Sequence, residues 1–139
     1  MKIAVCGSMA FAKEMVDVSI NLKRSGHVCF IPHDAIAHVT GKIKKDSSSE
    51  GIHKKIAKDL IRRHYNYIKK SDAVLVLNYG KKGVKNYIGG NTFLEMGFAH
   101  VLRKPIYLLN PIPAMGYTDE IMVMRPTILD GDLLKIPTP

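Results

Sequence analysis

Glu95 is the residue best placed to do chemistry, because it follows Gly89-Gly90-Asn91-Thr92 in what reads as the first turn of a helix. Glycines let backbone N–H groups approach an anion or a sugar closely, and a carboxylate beside such a loop can act on the molecule held there. The same carboxylate has a purely structural alternative, since an acidic side chain in a first helical turn stabilises the helix dipole. Ahead of the loop, Asp72-Ala73-Val74-Leu75-Val76-Leu77-Asn78 reads as a buried strand, which puts the glycines and Glu95 at its carboxyl end. Open α/β sheets bind ligands along that edge. Asn91 is expected to N-cap a helix beginning at Thr92. A second candidate is Gly7-Ser8, which leaves the strand Ile3–Cys6 and opens a helix. Its backbone suits a phosphate or sugar hydroxyl, or else Ser8 is a plain N-cap; with one glycine present, no dinucleotide fingerprint is made.

The elements that must position these residues alternate along the chain. Phe11, Met15, Val18 and Leu22 form one apolar helical face that stops at Ser25-Gly26, and Val28–Ile31 is a second strand ended by Pro32. Between Asp34 and Gly51 the composition turns polar, which predicts a loop able to lie over a site. Residues 51–70 are expected to form a helix with Ile52, Ile56, Leu60, Ile61 and Ile68 inward. Strand three is Ala73–Leu77, helix three Thr92–Arg103 and strand four Pro105–Leu109, followed by a short helix around Asp119–Met124 and a last strand at Thr127–Leu129. Parallel strands need crossover helices, so this order predicts a doubly wound, Rossmann- or flavodoxin-like α/β domain: a parallel sheet of four to five strands with helices on both faces. The tail Lys135–Pro139 is expected to be loose.

With 139 residues and 46% hydrophobic content, the chain builds one core and is read as one domain, residues 1–139. Neither a signal peptide nor a span is visible, so a cytoplasmic location without membrane contact is expected. Cys6 and Cys29 lie in apolar runs and read as reduced, buried thiols. The net charge of +9 is concentrated between Lys42 and Lys85. Such a field either attracts phosphorylated small molecules or is a solvated lysine surface. Nucleic-acid binding is disfavoured, because no aromatic platform is interleaved with the lysines. His27, His33, His38, His53 and His100 make no metal-ligand pattern, and no metal or organic cofactor is implied.

Cys6-Gly7-Ser8, Lys70-Ser71-Asp72-Ala73-Val74, the Gly-Gly-Asn-Thr-x-x-Glu-x-Gly run at 89–97 and Lys104-Pro105-Ile106 together resemble the nucleoside 2-deoxyribosyltransferase family, which includes the 2′-deoxynucleoside 5′-monophosphate N-glycosidases. The likeness extends from residue 1 to about residue 125, and the glycine-to-glutamate run is its specific part. A weaker similarity links Gly89-Gly90-Asn91-Thr92 and Glu95 to the lysine-decarboxylase-like phosphoribohydrolases. The first resemblance implies cleavage or transfer at an N-glycosidic bond, with Glu95 as nucleophile toward C1′ and a covalent glycosyl intermediate. A carboxylate suits an oxocarbenium-like transition state. It also implies that Cys6, Gly7 and Ser8 lie on the sugar-phosphate side and that Gly89, Gly90 and Asn91 form a second contact loop. Glu120 falls near a position that reaches a neighbouring subunit's site.

Two positions depart from the family. His64 stands where an aspartate is usual, eight residues ahead of Asp72, and Ala4 replaces a frequent tyrosine. His64 is four residues from both Leu60 and Ile68, which turns it toward the sheet, where it is either a structural histidine or a proton donor to a leaving base. The implied partner is a nucleoside or nucleotide. Shared family sites and the apolar run Ile121-Met122-Val123-Met124 point to a homodimer or larger assembly. The competing reading is a weak or inactive nucleotide-binding module of the same fold.

Overall fold

A computed structural model describes residues 1–41 and 59–138. Five strands form one parallel sheet in the order β2-β1-β3-β4-β5: β1 Lys2–Gly7, β2 Val28–Phe30, β3 Ala73–Leu77, β4 Ile106–Leu108 and β5 Thr127–Ile128. The helices are α1 Ala12–Arg24, α2 Ala35–Val39, α3 Leu60–Lys70, α4 Gly90–Val101 and α5 Thr118–Val123. The expected doubly wound architecture is therefore present, with five strands. Among the described residues, no helix is long and apolar enough to cross a membrane.

Strand alternation sorts the core into two halves. Ile3, Val5, Ala73, Leu75 and Leu77 meet Met15, Val18 and Leu22 of α1 together with Ala35 of α2. Ala4, Cys6, Val74 and Val76 face the other way, against Ile68 of α3, Met96 and Ala99 of α4, and Ile121 of α5. Because β3 is buried on both faces, its sequence is a continuous apolar run rather than an alternating one. Gly7 aligns with Leu77 at the carboxyl ends of β1 and β3. From there the chain departs to α1 on one face and to α4 on the other, which opens a crevice between the two strand ends.

Gly7 is required for packing. A Cβ there would sit 2.9 Å from the Met15 methyl and 3.1 Å from the Leu77 carbonyl oxygen. The neighbouring loops are clasped by buried Asn78, whose amide donates to the carbonyls of Asn110 (3.0 Å) and Pro111 (3.1 Å) and accepts from the Asn110 N–H at 2.8 Å.

Several expectations need correction. Part of the polar stretch after Asp34 is helical, as α2, while the rest of that loop and the first half of the helix expected from residue 51 lie outside the described residues. Ile61 is 44% exposed rather than inward, because it lies at the cleft mouth and not against the sheet. Cys29 is only half-buried, since β2 is an edge strand. The tail is anchored: Ile136 is buried against the α1-side core behind a short 3-10 turn at Leu133–Lys135.

Candidate active site

A cleft of about 690 Å³ occupies the crevice at the carboxyl ends of β1 and β3. Gly7 and Ser8 form one wall, Gly89, Gly90 and Asn91 another, and Glu95 and His64 lie at its inner end. The helix carrying Glu95 starts two residues earlier than expected. Gly89, in extended conformation, is the N-cap, and Asn91 lies inside the first turn without capping it. Glu95 thus falls in the second turn, beyond the reach of the dipole effect that offered its structural alternative. Its side chain is largely but not fully buried, with 14% accessible.

Three elements converge on this carboxylate. Cys6 closes the inward row of β1, His64 projects from α3 at the spacing that also buries Ile68, and Glu95 comes from α4. His64 Nε2 stands 3.7 Å from a Glu95 oxygen and 3.4 Å from Cys6 Sγ. Burial raises the Glu95 carboxyl to about 8 and lowers the His64 imidazole to about 4. The Cys6 thiol is pushed well above its usual range by burial first and by the Glu95 charge second. At neutral pH the His64–Glu95 pair accordingly holds one proton, which burial places on the carboxyl. Among the described residues, Nδ1 of His64 makes no well-formed hydrogen bond, although the nearby Val5 backbone favours the protonated ring.

The opposite side of the cleft is cationic. Lys81 Nζ donates to Ser8 Oγ at 2.7 Å, and the same oxygen accepts from the Ala10 N–H at 3.2 Å, so Ser8 caps its 3-10 turn as well. Lys81 is presented by a tight turn in which Lys82 and Gly83 both have positive φ and Lys81 and Val84 exchange two backbone hydrogen bonds. Arg63, Tyr67, Tyr87, His33 and His38 also line the cleft. The glycine loop is held from outside: the Tyr117 hydroxyl donates to the Ile88 carbonyl, and the Tyr117 ring stacks on Phe93 at 4.3 Å.

Of the expected residues, Glu95, His64, Gly7, Ser8, Gly89, Gly90 and Asn91 meet in one cleft. Cys6 is fully buried beneath it and offers no surface to a ligand except through His64 and Glu95. Glu120 is exposed on α5 and does not line the cleft. Lys81, Arg63, Tyr67 and Tyr87 were not expected. Lys81 belongs to the basic field that attracts phosphates, and what sets it apart there is the glycine two residues after it, which marks the turn.

The cleft lies at the switch point of a doubly wound sheet, the edge along which open α/β sheets bind ligands. No protein-family model matches the chain, and no curated protein matches it. Solved structures do share its fold. A 2-deoxyribosyltransferase from Bacillus psychrosaccharolyticus superimposes with a TM-score of 0.54 at 20% identity, over 80% of this chain and 73% of that one. A 2-deoxyribosyltransferase from Leishmania mexicana gives 0.53 at 17%, over 80% and 67%. The CMP N-glycosidase of Clostridium botulinum gives 0.51 at 14%, over 92% and 85%.

Proposed function

We propose that this protein cleaves, and can transfer, the N-glycosidic bond of a 2′-deoxynucleoside or its 5′-monophosphate. The observation that carries the reading is Glu95: a carboxylate from a glycine-started helix, at the inner end of the switch-point cleft, within 3.7 Å of an imidazole. The fold it shares with 2-deoxyribosyltransferases and a CMP N-glycosidase supports the substrate class.

In the first step the proton of the Glu95–His64 pair moves to His64 Nε2, and the freed carboxylate attacks C1′ as the bond to the base breaks. The base leaves with a proton, for which the imidazolium is the donor. Water or a second base then displaces Glu95 from C1′, so that two inversions retain configuration. Lys81, Arg63 and the Ser8 hydroxyl suit the 5′ end of the substrate, because an ammonium and a guanidinium at a glycine turn favour phosphate oxygens. Tyr87 offers aromatic surface to the base, while the Tyr67 ring, stacked on Phe30 at 5.3 Å, backs the cleft wall.

One observation favours the alternative of a binding module without turnover: a carboxyl raised to about 8 keeps its proton at neutral pH and is then a poor nucleophile. Chromatographic detection of free base, from a panel of deoxynucleosides and their monophosphates, separates the two. Turnover lost in Glu95→Gln supports the glycosidase; binding of the panel with no base released supports the module.

A further inference from the structure

We propose that Cys6, His64 and Glu95 form a site for one zinc-like divalent cation beneath the cleft, a role outside the glycosidic reaction. Their donor atoms Sγ, Nε2 and a carboxylate oxygen all lie within 4.8 Å of one another, and no other such group occurs among the described residues. Two of the three spacings match a metal polyhedron. Zinc–sulfur and zinc–nitrogen distances of about 2.3 and 2.05 Å at a tetrahedral angle put the two ligands about 3.6 Å apart, and two N/O ligands about 3.4 Å apart. The corresponding separations here are 3.4 Å for Cys6–His64 and 3.7 Å for His64–Glu95, with Cys6 and Glu95 within 4.8 Å, so closure on an ion needs only small shifts at His64 and draws the thiol and the carboxylate together by up to roughly 1 Å.

Each donor comes from a different rigid element, β1, α3 and α4, and only Glu95 and His64 reach the cleft. A fourth position therefore opens toward the cleft for water or a ligand, the arrangement of an open three-ligand site. One sulfur, one imidazole nitrogen and one carboxylate oxygen select borderline-soft ions such as Zn²⁺ or Co²⁺ over Mg²⁺ and Ca²⁺, which take oxygen sets. On binding, the thiol and any proton on the carboxyl pass to solvent as protons, and thiolate plus carboxylate offset the two charges of the ion. The contacts among the three groups, 3.4 Å from Cys6 to His64 and 3.7 Å from His64 to Glu95, are long for polar groups so largely removed from water. One consequence rests on the proposed function: a Glu95 oxygen bound to the ion cannot attack C1′, so zinc inhibits base release and a chelator restores it.

The test is a Co²⁺ titration of the full chain after chelator treatment, read by absorption without any nucleoside present. The expected result is one Co²⁺ per chain with a thiolate-to-cobalt charge-transfer band in the near ultraviolet, displaced by Zn²⁺. Cys6→Ala should remove the band and Cys29→Ser should keep it. Losing a direct ligand should cost at least the upper end of what outer-shell changes cost, so His64→Ala and Glu95→Gln should each weaken Co²⁺ by about a hundredfold or more. These helix-borne variants decide the matter if Cys6→Ala disturbs the fold by circular dichroism. Absence of the band, or a band that follows Cys29 and survives the loss of His64 and Glu95, overturns the site. Because no glycosidic turnover is measured, that result leaves the glycosidase reading standing, and an inactive protein with the band leaves the cation site standing.

Discussion

The two faces of the sheet use the same strands for opposite purposes. Toward α1, the inward rows of β1 and β3 end in hydrocarbon, Val5 and Leu77, and the contacts around them are Met15, Val18 and Leu22. Toward α3 and α4, the row of β1 ends in Cys6, and the core there changes from carbon to three ionisable groups within one residue of the strand end. Burying the first face favours folding, at roughly 1.5–3 kcal/mol for a large aliphatic side chain. Burying the second opposes it, since the carboxyl loses the charge it would carry in water at neutral pH, and the thiol and imidazole give up water for loose contacts. What separates the faces is the parity of a pleat: shifting β1 by one residue would send the thiol into the α1 core and a valine to Glu95.

The comparison breaks most sharply at Glu95. Glu95→Gln is expected to lower base release by roughly six orders of magnitude, as loss of a nucleophile does elsewhere, while thermal unfolding shows a midpoint unchanged or raised. Retained turnover would remove the nucleophile from the mechanism. On the other face, Leu75→Ala should do the reverse: destabilise by about 2–5 kcal/mol in urea unfolding, with kcat of the folded fraction unchanged.

His64 sharpens the contrast through pH. Below about 4 the His64–Glu95 pair carries two protons and the carboxyl cannot attack; above about 8 it carries none and the proton donor is gone. With chelator present, kcat/KM is thus expected to be bell-shaped, with limbs near those values. His64→Ala should slow turnover by about a hundredfold or more and erase the alkaline limb. Stability shifts in the matching sense. The lowered His64 value contributes stability that is present above 6.5 and lost as pH falls toward 4. The raised Glu95 value contributes stability that is present below 4.5 and lost as pH rises through about 8. Unfolding midpoints of wild type and Glu95→Gln should therefore diverge with rising pH, and parallel curves would count against a buried carboxyl.

The smallest effect is expected at Lys81. Lys81→Met should raise KM for a monophosphate about tenfold, the size of one charge-assisted hydrogen bond, and change KM for the unphosphorylated nucleoside little. Equal changes for both substrates would place the phosphate elsewhere.

Local signals made much of the fold legible. Ala73–Leu77 has the bounds its apolar run suggested, and the alternation of short strands with amphipathic helices led to the parallel sheet. Helix starts were less legible, since Asn91 has the better capping side chain but Gly89 has the extended backbone that α4 needs. The spacing of His64 between Leu60 and Ile68 gave its inward direction, because that depends on one helix alone. Its sharing of a site with Glu95 followed only from the family resemblance, and its contact with Cys6 was not legible, as that depends on how elements distant in sequence dock. Lys81 was hidden among many lysines, its difference from them being a turn geometry. Ile136 was read as tail because nothing local in a Pro-rich end reveals a tertiary pocket.

The bond from Tyr117 to the Ile88 carbonyl bears on the order in which the protein becomes competent. The strand β3 and the glycine loop emerge from the ribosome well before Tyr117 does. Until α5 has been made and has docked, the loop that starts the Glu95 helix lacks its outer support, so a nascent chain can have β1 and β3 paired and still have an unfinished cleft. Competence thus arrives late in synthesis, with the last helix rather than with the residues that line the cleft.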